Sequence, residues 1–337
     1  MGKTIVTALF FMILLGSCKK NDVLRGFDKS ALFAPPSTSE LDAIKNTWKK
    51  RNLNPENIKI EEVDVINNQL SFQLLSFQLN GYKQYAAALI PKTSKPLPVH
   101  LYVYGFALEV PVSYQNIRLA PSDTASLPFI YVMPALRGQS LNFTVNDKMY
   151  TSPVSEGTRD DAFDGAADDA IASLNAAIIT FKNADTSRVM VRGGSRGGTV
   201  ALLVAERDKR VKRAAAVAFP TDLLGLTADY QHDSTYQFQF LNALVKGAAT
   251  LEETRIKMIA SSPLYFCSQL PKTQIHFGDK DKITPATQGR LLFNAMEQLG
   301  LQYRIEMFVY EGLAHSNIGT NNNEMDNRIQ NFFHQLW

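Results

Sequence analysis

The sequence predicts an α/β domain built on a mostly parallel sheet with helices on both faces. Short apolar runs, each long enough for one buried strand, alternate with helical patterns from about residue 99 onward. The chain has 337 residues, of which 45% are hydrophobic and 20% charged, a balance that suits one large core. Two cysteines are too few for a disulfide framework or a cysteine-based zinc site.

The charge pattern argues against a nucleic-acid partner. Lys and Arg number 35 against 32 Asp and Glu, so the formal net charge is only +3, and no concentrated basic stripe is visible. The histidines lack the H-E-x-x-H spacing of a metalloprotease, and we expect neither a metal nor another cofactor. The acidic residues between Asp160 and Asp169 are interpreted as a solvated helix start, not as a metal site.

The first 18 residues carry the pattern of an export signal. Lys3 precedes an uncharged apolar run, Ile5 to Leu15, which is too short to cross a bilayer as a helix. Leu15-Gly16-Ser17-Cys18 has the form of a bacterial lipobox. We therefore expect residues 1–17 to be removed, Cys18 to carry lipid, and residues 18–36 to form a tether in the cell envelope. An ordinary signal peptide with a coincidental cysteine is the alternative.

The mature domain, residues 37–337, is expected to begin with a helix and an antiparallel edge. Ser37 and Glu40 have the spacing of a capping box, which predicts a helix start. Turn signals at Asn67-Asn68 and Asn80-Gly81 separate strand-like runs, which predicts a meander of three strands. These strands are expected at Ile58 to Val65, Leu70 to Leu79 and Gln84 to Ile90.

The parallel part of the sheet follows. Its strands are expected at Val99 to Tyr104, Phe129 to Met133, Val189 to Val191, Ala214 to Phe219, Gln274 to Phe277 and Ile305 to Tyr310. Its clearest helices are Ala166 to Lys182, Thr199 to Arg207, Ala286 to Leu299 and Glu324 to Leu336. Residues 221–262 interrupt the alternation, and we expect them to form a small helical cover over a site.

The strongest chemical signal is a G-x-S-x-G motif between a strand and a helix, centred on Ser195. A serine at the apex of such a turn has a strained backbone, so glycines such as Gly193 and Gly197 are needed around it. The turn presents the Ser195 hydroxyl at the carboxyl edge of the sheet, which predicts a nucleophile. A glycine-rich turn without chemistry is the alternative.

A serine nucleophile needs a histidine base and a carboxylate, in the chain order Ser, acid, His on this kind of sheet. Asp281 follows the predicted strand ending at Phe277, and His315 follows the last strand, so both lie at strand carboxyl ends. Asp279 competes with Asp281 for the acid role, although local pairing with a neighbouring lysine suits it better.

An oxyanion hole requires two N–H donors near the nucleophile. The backbone N–H of Arg196 follows the serine directly, and Phe106 follows Gly105 in the loop after the Val99 to Tyr104 strand. We therefore expect Arg196 and Phe106 to donate, with Gly105 permitting the close approach of the loop.

Taken together, these residues resemble the α/β-hydrolase superfamily. Within it, the chain resembles the acetyl xylan esterase and cephalosporin-C deacetylase family through three segments: Arg137-Gly138-Gln139, Gly193 to Gly198, and Asp279 to Pro285. This resemblance implies a triad of Ser195, Asp281 and His315 that hydrolyses acyl esters, commonly acetyl groups on sugars. Arg137 is a hypothesis for a supporting residue that orders the loop around Ser195, and a surface salt bridge is the alternative.

The chain departs from that family at three positions. Arg196 stands where the family usually has Gln, Ser316 where it has Glu, and Tyr104-Gly105 where it has His-Gly. The chain also resembles the catalytic domain of prolyl-oligopeptidase-type peptidases through the Gly-x-Ser-x-Gly-Gly turn and the run Ser261 to Leu264. The sequence thus predicts a lipid-anchored serine esterase acting on a small ester, with a peptidase of short peptides, or a non-catalytic surface binding protein, as alternatives.

Overall fold

The structure, a computed structural model, describes residues 22–113, 129–319 and 322–336. The predicted signal sequence, the lipidation site Cys18 and the first residues of the predicted tether lie outside the described residues. In the described parts of the chain, no helix is both long and apolar enough to cross a membrane.

The described strands fall close to the apolar runs of the sequence. They are β1 (Glu56–Asn67), β2 (Leu70–Leu79), β3 (Tyr82–Pro91), β4 (Leu97–Val103), β5 (Glu109–Ser113), β6 (Ile130–Ala135), β7 (Ser140–Val145), β8 (Lys148–Thr151), β9 (Ala184–Gly194), β10 (Val211–Val217), β11 (Lys272–Gly278) and β12 (Ile305–Tyr310).

The described helices include the four that the sequence predicts most clearly. They are α1 (Lys29–Phe33), α2 (Thr38–Lys50), α3 (Asp164–Thr180), α4 (Arg196–Arg207), α5 (Leu223–Asp229), α6 (Ser234–Tyr236), α7 (Asn242–Val245), α8 (Leu251–Ala260), α9 (Ala286–Gln298) and α10 (Asn323–His334). A π-helical turn, Gln237–Leu241, joins α6 to α7. Short 3₁₀ turns cover Pro263–Gln269 and Gln302–Arg304.

The main sheet has the strand order β1-β2-β3-β6-β4-β9-β10-β11-β12 within the described residues. The first four strands pair antiparallel, and from β6 onward all neighbours pair parallel. This arrangement confirms the predicted α/β class with an antiparallel amino-terminal edge. The parallel strands bring the ends of β4, β9, β11 and β12 to one edge, where the predicted site residues follow them.

Both faces of the parallel strands are buried, which explains their continuous apolar sequences. On β9, Val189 and Val191 join the core that contains α3 and α4, while Met190 joins the core on the opposite face. That second core includes α10 and a small separate sheet of order β5-β7-β8. The small sheet was not predicted from the sequence.

The folded domain begins earlier than the boundary expected at residue 37. Leu24 and Leu32 are fully buried in the main core. The Arg255 guanidinium, on α8, donates to the backbone carbonyls of Leu32 and Ala34 at 3.1 and 2.7 Å. Two apolar anchors and these hydrogen bonds hold the segment from residue 22 against the domain, so any free tether must be shorter than expected.

The acidic run at the start of α3 is buried, not solvated as the sequence suggested. Asp164 accepts hydrogen bonds from Trp48 Nε1 at 2.9 Å and from the Arg51 and Arg207 guanidinium groups at 2.7 and 2.6 Å. Burial alone would raise the pKa of Asp164, but Arg207 and Arg51 hold it below its ordinary value. Desolvation raises the pKa of the neighbouring Asp168 to about 6. These carboxylates therefore form an ion-pair network that ties α2, α3 and α4 together.

Candidate active site

Ser195 occupies a strained turn between β9 and α4. Its φ is 54° and its ψ is −129°, in a region that residues other than glycine rarely adopt. The Ser195 N–H donates to the carbonyl of Val217 on β10 at 2.8 Å, which fixes the turn to the sheet. A Cβ on Gly193 would lie 2.0 Å from the Gly197 carbonyl oxygen, so the turn requires glycine there. The sequence motif thus folds as the predicted strand–turn–helix.

The structure brings the three expected side chains into hydrogen-bond contact. His315 Nε2 lies 3.0 Å from Ser195 Oγ, and His315 Nδ1 lies 2.8 Å from Asp281 Oδ2. The histidine side chain is 19% exposed while that of Asp281 is fully buried. This is the geometry in which a histidine accepts the serine proton and a carboxylate fixes the ring orientation.

Asp281 is held by its own loop. Its Oδ1 accepts from the backbone N–H groups of Ile283 and Thr284, both at 2.8 Å, and its Oδ2 accepts from Thr284 Oγ1 at 2.9 Å. The Thr284 hydroxyl also lies 2.9 Å from His315 Nδ1, so it contacts both members of the pair. The sequence motif contained this threonine, but no role for it was inferred.

Asp279, the other candidate for the acid, contacts a different part of the structure from Asp281. It accepts a hydrogen bond from the Gly312 N–H at 2.7 Å and lies 3.2 Å from Lys280 Nζ. Asp279 therefore links the loop after β11 to the loop that carries His315, and it pairs locally as the sequence suggested. The choice of Asp281 over Asp279 agrees with these contacts.

The loop after β4 lies directly against the serine turn. A Cβ on Gly105 would be 3.3 Å from the Gly194 carbonyl oxygen and 3.4 Å from Ser195 Cβ. Arg196 is the first residue of α4, so its backbone N–H has no hydrogen-bond acceptor within the helix. The hydrogen bonds of the described residues also leave the Phe106 N–H without an acceptor. The Arg196 N–H follows Ser195 directly and the Phe106 N–H follows Gly105, which lies against Ser195, so both remain candidates for the donors of an oxyanion hole.

Gln139 supports this loop, although its role was missed in the sequence. Its buried side-chain amide donates to the carbonyls of Gly105 and Ala107 at 3.1 and 2.7 Å. Arg137, two residues before it, makes a bidentate contact with Asp169 at 2.9 Å and pairs with Asp161. Arg137 thus anchors the segment after β6 to α3 through largely buried ion pairs. The hydrogen bonds of the described residues include none from its side chain to the loop around Ser195.

A small cavity of about 110 Å³ opens at Ser195. Phe163 and Phe240 form part of its wall, with their rings stacked 6.1 Å apart between centroids. Tyr236 and Gln239 also line the cavity, so the segment 221–262 does contribute to the site as the predicted cover would. Burial raises the pKa of Tyr236 to about 12, so this phenol stays neutral at physiological pH.

The remaining strand histidines are structural. His100 and His276 are fully buried inside β4 and β11, and desolvation lowers the pKa of each well below its ordinary value. Among the described residues, no group of three or more His, Cys, Asp or Glu side chains is arranged to hold a metal ion.

Residues 154–337 match the model of the prolyl oligopeptidase family. The chain belongs to the prolyl oligopeptidase family. Ser195, Asp281 and His315 all lie in the matched region, and the family makes the chain a serine hydrolase. The match confirms the resemblance to the α/β-hydrolase superfamily that the sequence motifs indicated. No curated protein matches the chain in sequence.

Solved structures show the same fold in esterases and peptidases. Acetyl xylan esterase 1 from a Thermoanaerobacterium species is 17% identical with a TM-score of 0.66, covering 90% of this chain and 95% of its own. Acetyl xylan esterase from a Paenibacillus species is 15% identical with a TM-score of 0.63, covering 91% and 98%. Porphyromonas gingivalis dipeptidyl peptidase 4 is 18% identical with a TM-score of 0.53, covering 86% of this chain but 37% of its own.

Proposed function

We propose that this hydrolase cleaves small carboxylic esters through an acyl-enzyme on Ser195. The cavity at Ser195 carries this proposal, because the rings of Phe163 and Phe240 bound a volume of only about 110 Å³ next to the nucleophile. Acetyl and other short acyl groups fit this cavity.

In the proposed mechanism, His315 removes the proton from Ser195 as the serine attacks the ester carbonyl. Asp281 holds the imidazole with Nε2 toward the serine and stabilises the imidazolium that forms. The N–H groups of Arg196 and Phe106 donate to the oxyanion. His315 then protonates the leaving alcohol, and water repeats these steps on the acyl-enzyme.

The peptidase alternative has one observation in its favour, which is the family itself. The chain spans only about a third of the dipeptidyl peptidase it resembles, but nearly the whole of the two acetyl xylan esterases. The fold of the two acetyl xylan esterases also matches this chain more closely, with TM-scores of 0.66 and 0.63 against 0.53 for the dipeptidyl peptidase. We propose acetyl groups on sugars as the natural class among esters.

The deciding experiment compares initial rates on 4-nitrophenyl acetate, butyrate and octanoate with rates on Ala-Pro and Gly-Pro anilides. We expect turnover to fall from acetate to octanoate. Cleavage of the anilides should be at least about 100-fold less efficient than hydrolysis of the acetate ester. Anilide cleavage at comparable efficiency would make the chain a peptidase. If the natural substrate lies outside both sets, labelling with a fluorophosphonate probe still tests whether Ser195 is a reactive nucleophile. A non-catalytic binding protein would leave Ser195 unlabelled.

We also propose that the protein is exported and held at a membrane by lipid on Cys18. The lipobox-like Leu15-Gly16-Ser17-Cys18 and the short apolar run before it support this. Expression of the full chain in a bacterium should place it in the membrane fraction, and Cys18→Ala should move it to the soluble fraction. Equal membrane association of both would contradict the proposal.

A further inference from the structure

The side chain of Arg196 is buried and forms no ion pair with the described residues. The residue is only 3% exposed. Among the described residues, Asp169 acts on it electrostatically but forms its ion pair with Arg137, and no carboxylate forms an ion pair with Arg196. Its Nη2 donates to the Gly105 carbonyl at a long 3.3 Å, and its Nε has no acceptor among the described residues. The guanidinium also stacks over the Phe106 ring, 4.7 Å from the centroid.

Other buried arginines of this chain are paired. The carboxylate partners lie at 2.9 Å for Arg192–Asp326, 2.6 Å for Arg207–Asp164 and 2.6 Å for Arg255–Glu40. Burying an unpaired charge is costly, so such a group is kept where a ligand supplies the missing partner. Desolvation lowers the pKa of Arg196 to about 10, which still leaves it charged at neutral pH.

The guanidinium faces a cavity of about 370 Å³ beside the reaction cavity. The two cavities share lining residues, Phe106, Arg196, Thr235 and Gln239, so one substrate can occupy both. The described lining of the larger cavity contains Arg137 and Arg159 as well and no carboxylate. Arg137 is neutralised by Asp169 and Asp161, whereas Arg159 is exposed and has no ion pair among the described residues.

The chemistry of this cavity fits a carboxylate. A guanidinium presents paired N–H donors that match the two oxygens of a carboxylate, and the bond is strengthened where water is excluded. Apolar surface from Phe106 and Phe238 lines the same space, which suits the carbon skeleton that would carry the group. Gly105, which accepts from Arg196, lies against Ser195, so the bound group would be close to the reacting carbonyl.

We propose that Arg196 binds a carboxylate of the substrate, so that the preferred ester carries a carboxylate group near the scissile carbonyl. This inference rests on the proposed esterase function and narrows its substrate class. It gives Arg196 two separate tasks: its backbone N–H faces the oxyanion, and its side chain selects an anionic substrate.

The test compares matched charged and neutral esters. Mono-4-nitrophenyl glutarate and 4-nitrophenyl pentanoate have acyl chains of equal length, and 4-(acetoxy)phenylacetate and 4-methylphenyl acetate place the difference on the leaving group. In at least one pair, kcat/KM should favour the charged ester by about 10- to 100-fold, mainly through KM. A ratio of one or less in both pairs, with the neutral esters turned over, would overturn the inference and leave the esterase proposal standing.

Substitutions of arginine test whether Arg196 is the group that favours the charged esters. Arg196→Gln should bring the charged-to-neutral ratio close to one, and Arg196→Lys should restore part of it, because lysine keeps the charge without the paired donors. Since the measure is a ratio, a general loss of catalysis cancels. Arg290→Gln removes the same charge from an exposed position of α9 and should keep the wild-type ratio. If Arg196→Gln does not fold, Arg159→Gln serves as the second variant, and it should lower the charged-to-neutral ratio by a smaller factor than is expected of Arg196→Gln. A ratio that no substitution in the cavity changes would contradict the inference.

Measurements of binding test the role of Arg196 independently of the proposed esterase activity. In Ser195→Ala, which cannot form the acyl-enzyme, calorimetry should show tighter binding of mono-4-nitrophenyl glutarate than of 4-nitrophenyl pentanoate. The preference should disappear when Arg196→Gln is added. This comparison holds even if the wild type hydrolyses neither ester, in which case the esterase proposal fails. Equal binding of both esters to Ser195→Ala would overturn the inference.

Discussion

Gly197→Ala should disable the site although it alters no reacting side chain. A Cβ at this position would lie 2.2 Å from the Val103 carbonyl oxygen and 2.6 Å from that of Tyr104. Both atoms belong to the backbone of β4 and its following loop, which cannot rotate away as a side chain can. Contact distances of at least about 3.3 Å require the loop and the start of α4 to separate by about 1 Å.

That separation acts directly on the oxyanion hole. The loop carries the Phe106 N–H and the helix carries the Arg196 N–H, so their spacing changes by about the same 1 Å. A donor is effective only at about 2.7–3.1 Å from the oxyanion, and loss of one donor costs about 10²–10³ in kcat. We therefore expect Gly197→Ala to lower kcat/KM on 4-nitrophenyl acetate by about 100-fold or more. Overpacking should also cost about 1–3 kcal/mol of stability.

Gly194→Ala is the matched control. It adds the same methyl group to the same turn, but there its closest contact would be the Val217 carbonyl oxygen at 3.9 Å, an ordinary van der Waals distance. We expect this variant to stay within about 10-fold of the wild-type rate. Circular dichroism and thermal unfolding verify that both variants are folded. If Gly197→Ala kept more than a fifth of the activity, or if both variants lost equal activity, the reasoning would be refuted.

Three further predictions concern groups around the site and in the core. Thr284→Val removes a hydroxyl that lies 2.9 Å from Asp281 Oδ2, and it should lower kcat by about 10-fold; wild-type kcat would show that the contact is dispensable. Burial raises the pKa of Glu206, whose carboxylate oxygens have no partner among the described residues. Wild-type stability should therefore fall relative to Glu206→Gln as pH rises above the unfolded-state pKa of about 4.3, with a slope of at most about 1.4 kcal/mol per pH unit. Urea unfolding of both proteins at pH 4, 5, 6 and 7 measures this difference, and a constant difference would contradict it. Asp164→Ala leaves Arg207 buried without this partner and should destabilise the fold by about 3–5 kcal/mol in urea unfolding; a loss below 1 kcal/mol would show that the network is not needed.

Local patterns predict the central strands and the serine turn well. β2 and β12 have the predicted bounds, because hydrophobic runs and turn residues fix both ends of each strand. Ser195, Asp281 and His315 each follow a parallel strand, so topology alone brings them to one edge. The glycines around Ser195 mark the turn because a Cβ there would collide with backbone.

Features that depend on contacts distant in sequence were not predictable in this way. Asp164 lies 113 residues from Arg51 and 43 residues from Arg207, so nothing local distinguishes its burial from a solvated helix start. Leu24 and Leu32 lie close to charged residues such as Arg25 and Lys29, and their burial depends on a surface formed elsewhere in the chain. The small sheet is held together by pairing between β5 and β7, which are separated in sequence by β6, a strand of the main sheet.

The central claim is that Ser195 is the nucleophile of an esterase. The most direct measurement is the rate of 4-nitrophenyl acetate hydrolysis by Ser195→Ala relative to wild type, with circular dichroism to verify the fold. Loss of the hydroxyl should lower kcat by about 10⁴-fold or more, because it removes the group that lies 3.0 Å from His315 Nε2 and would form the acyl-enzyme. A folded Ser195→Ala that kept a tenth of the wild-type rate would contradict the account.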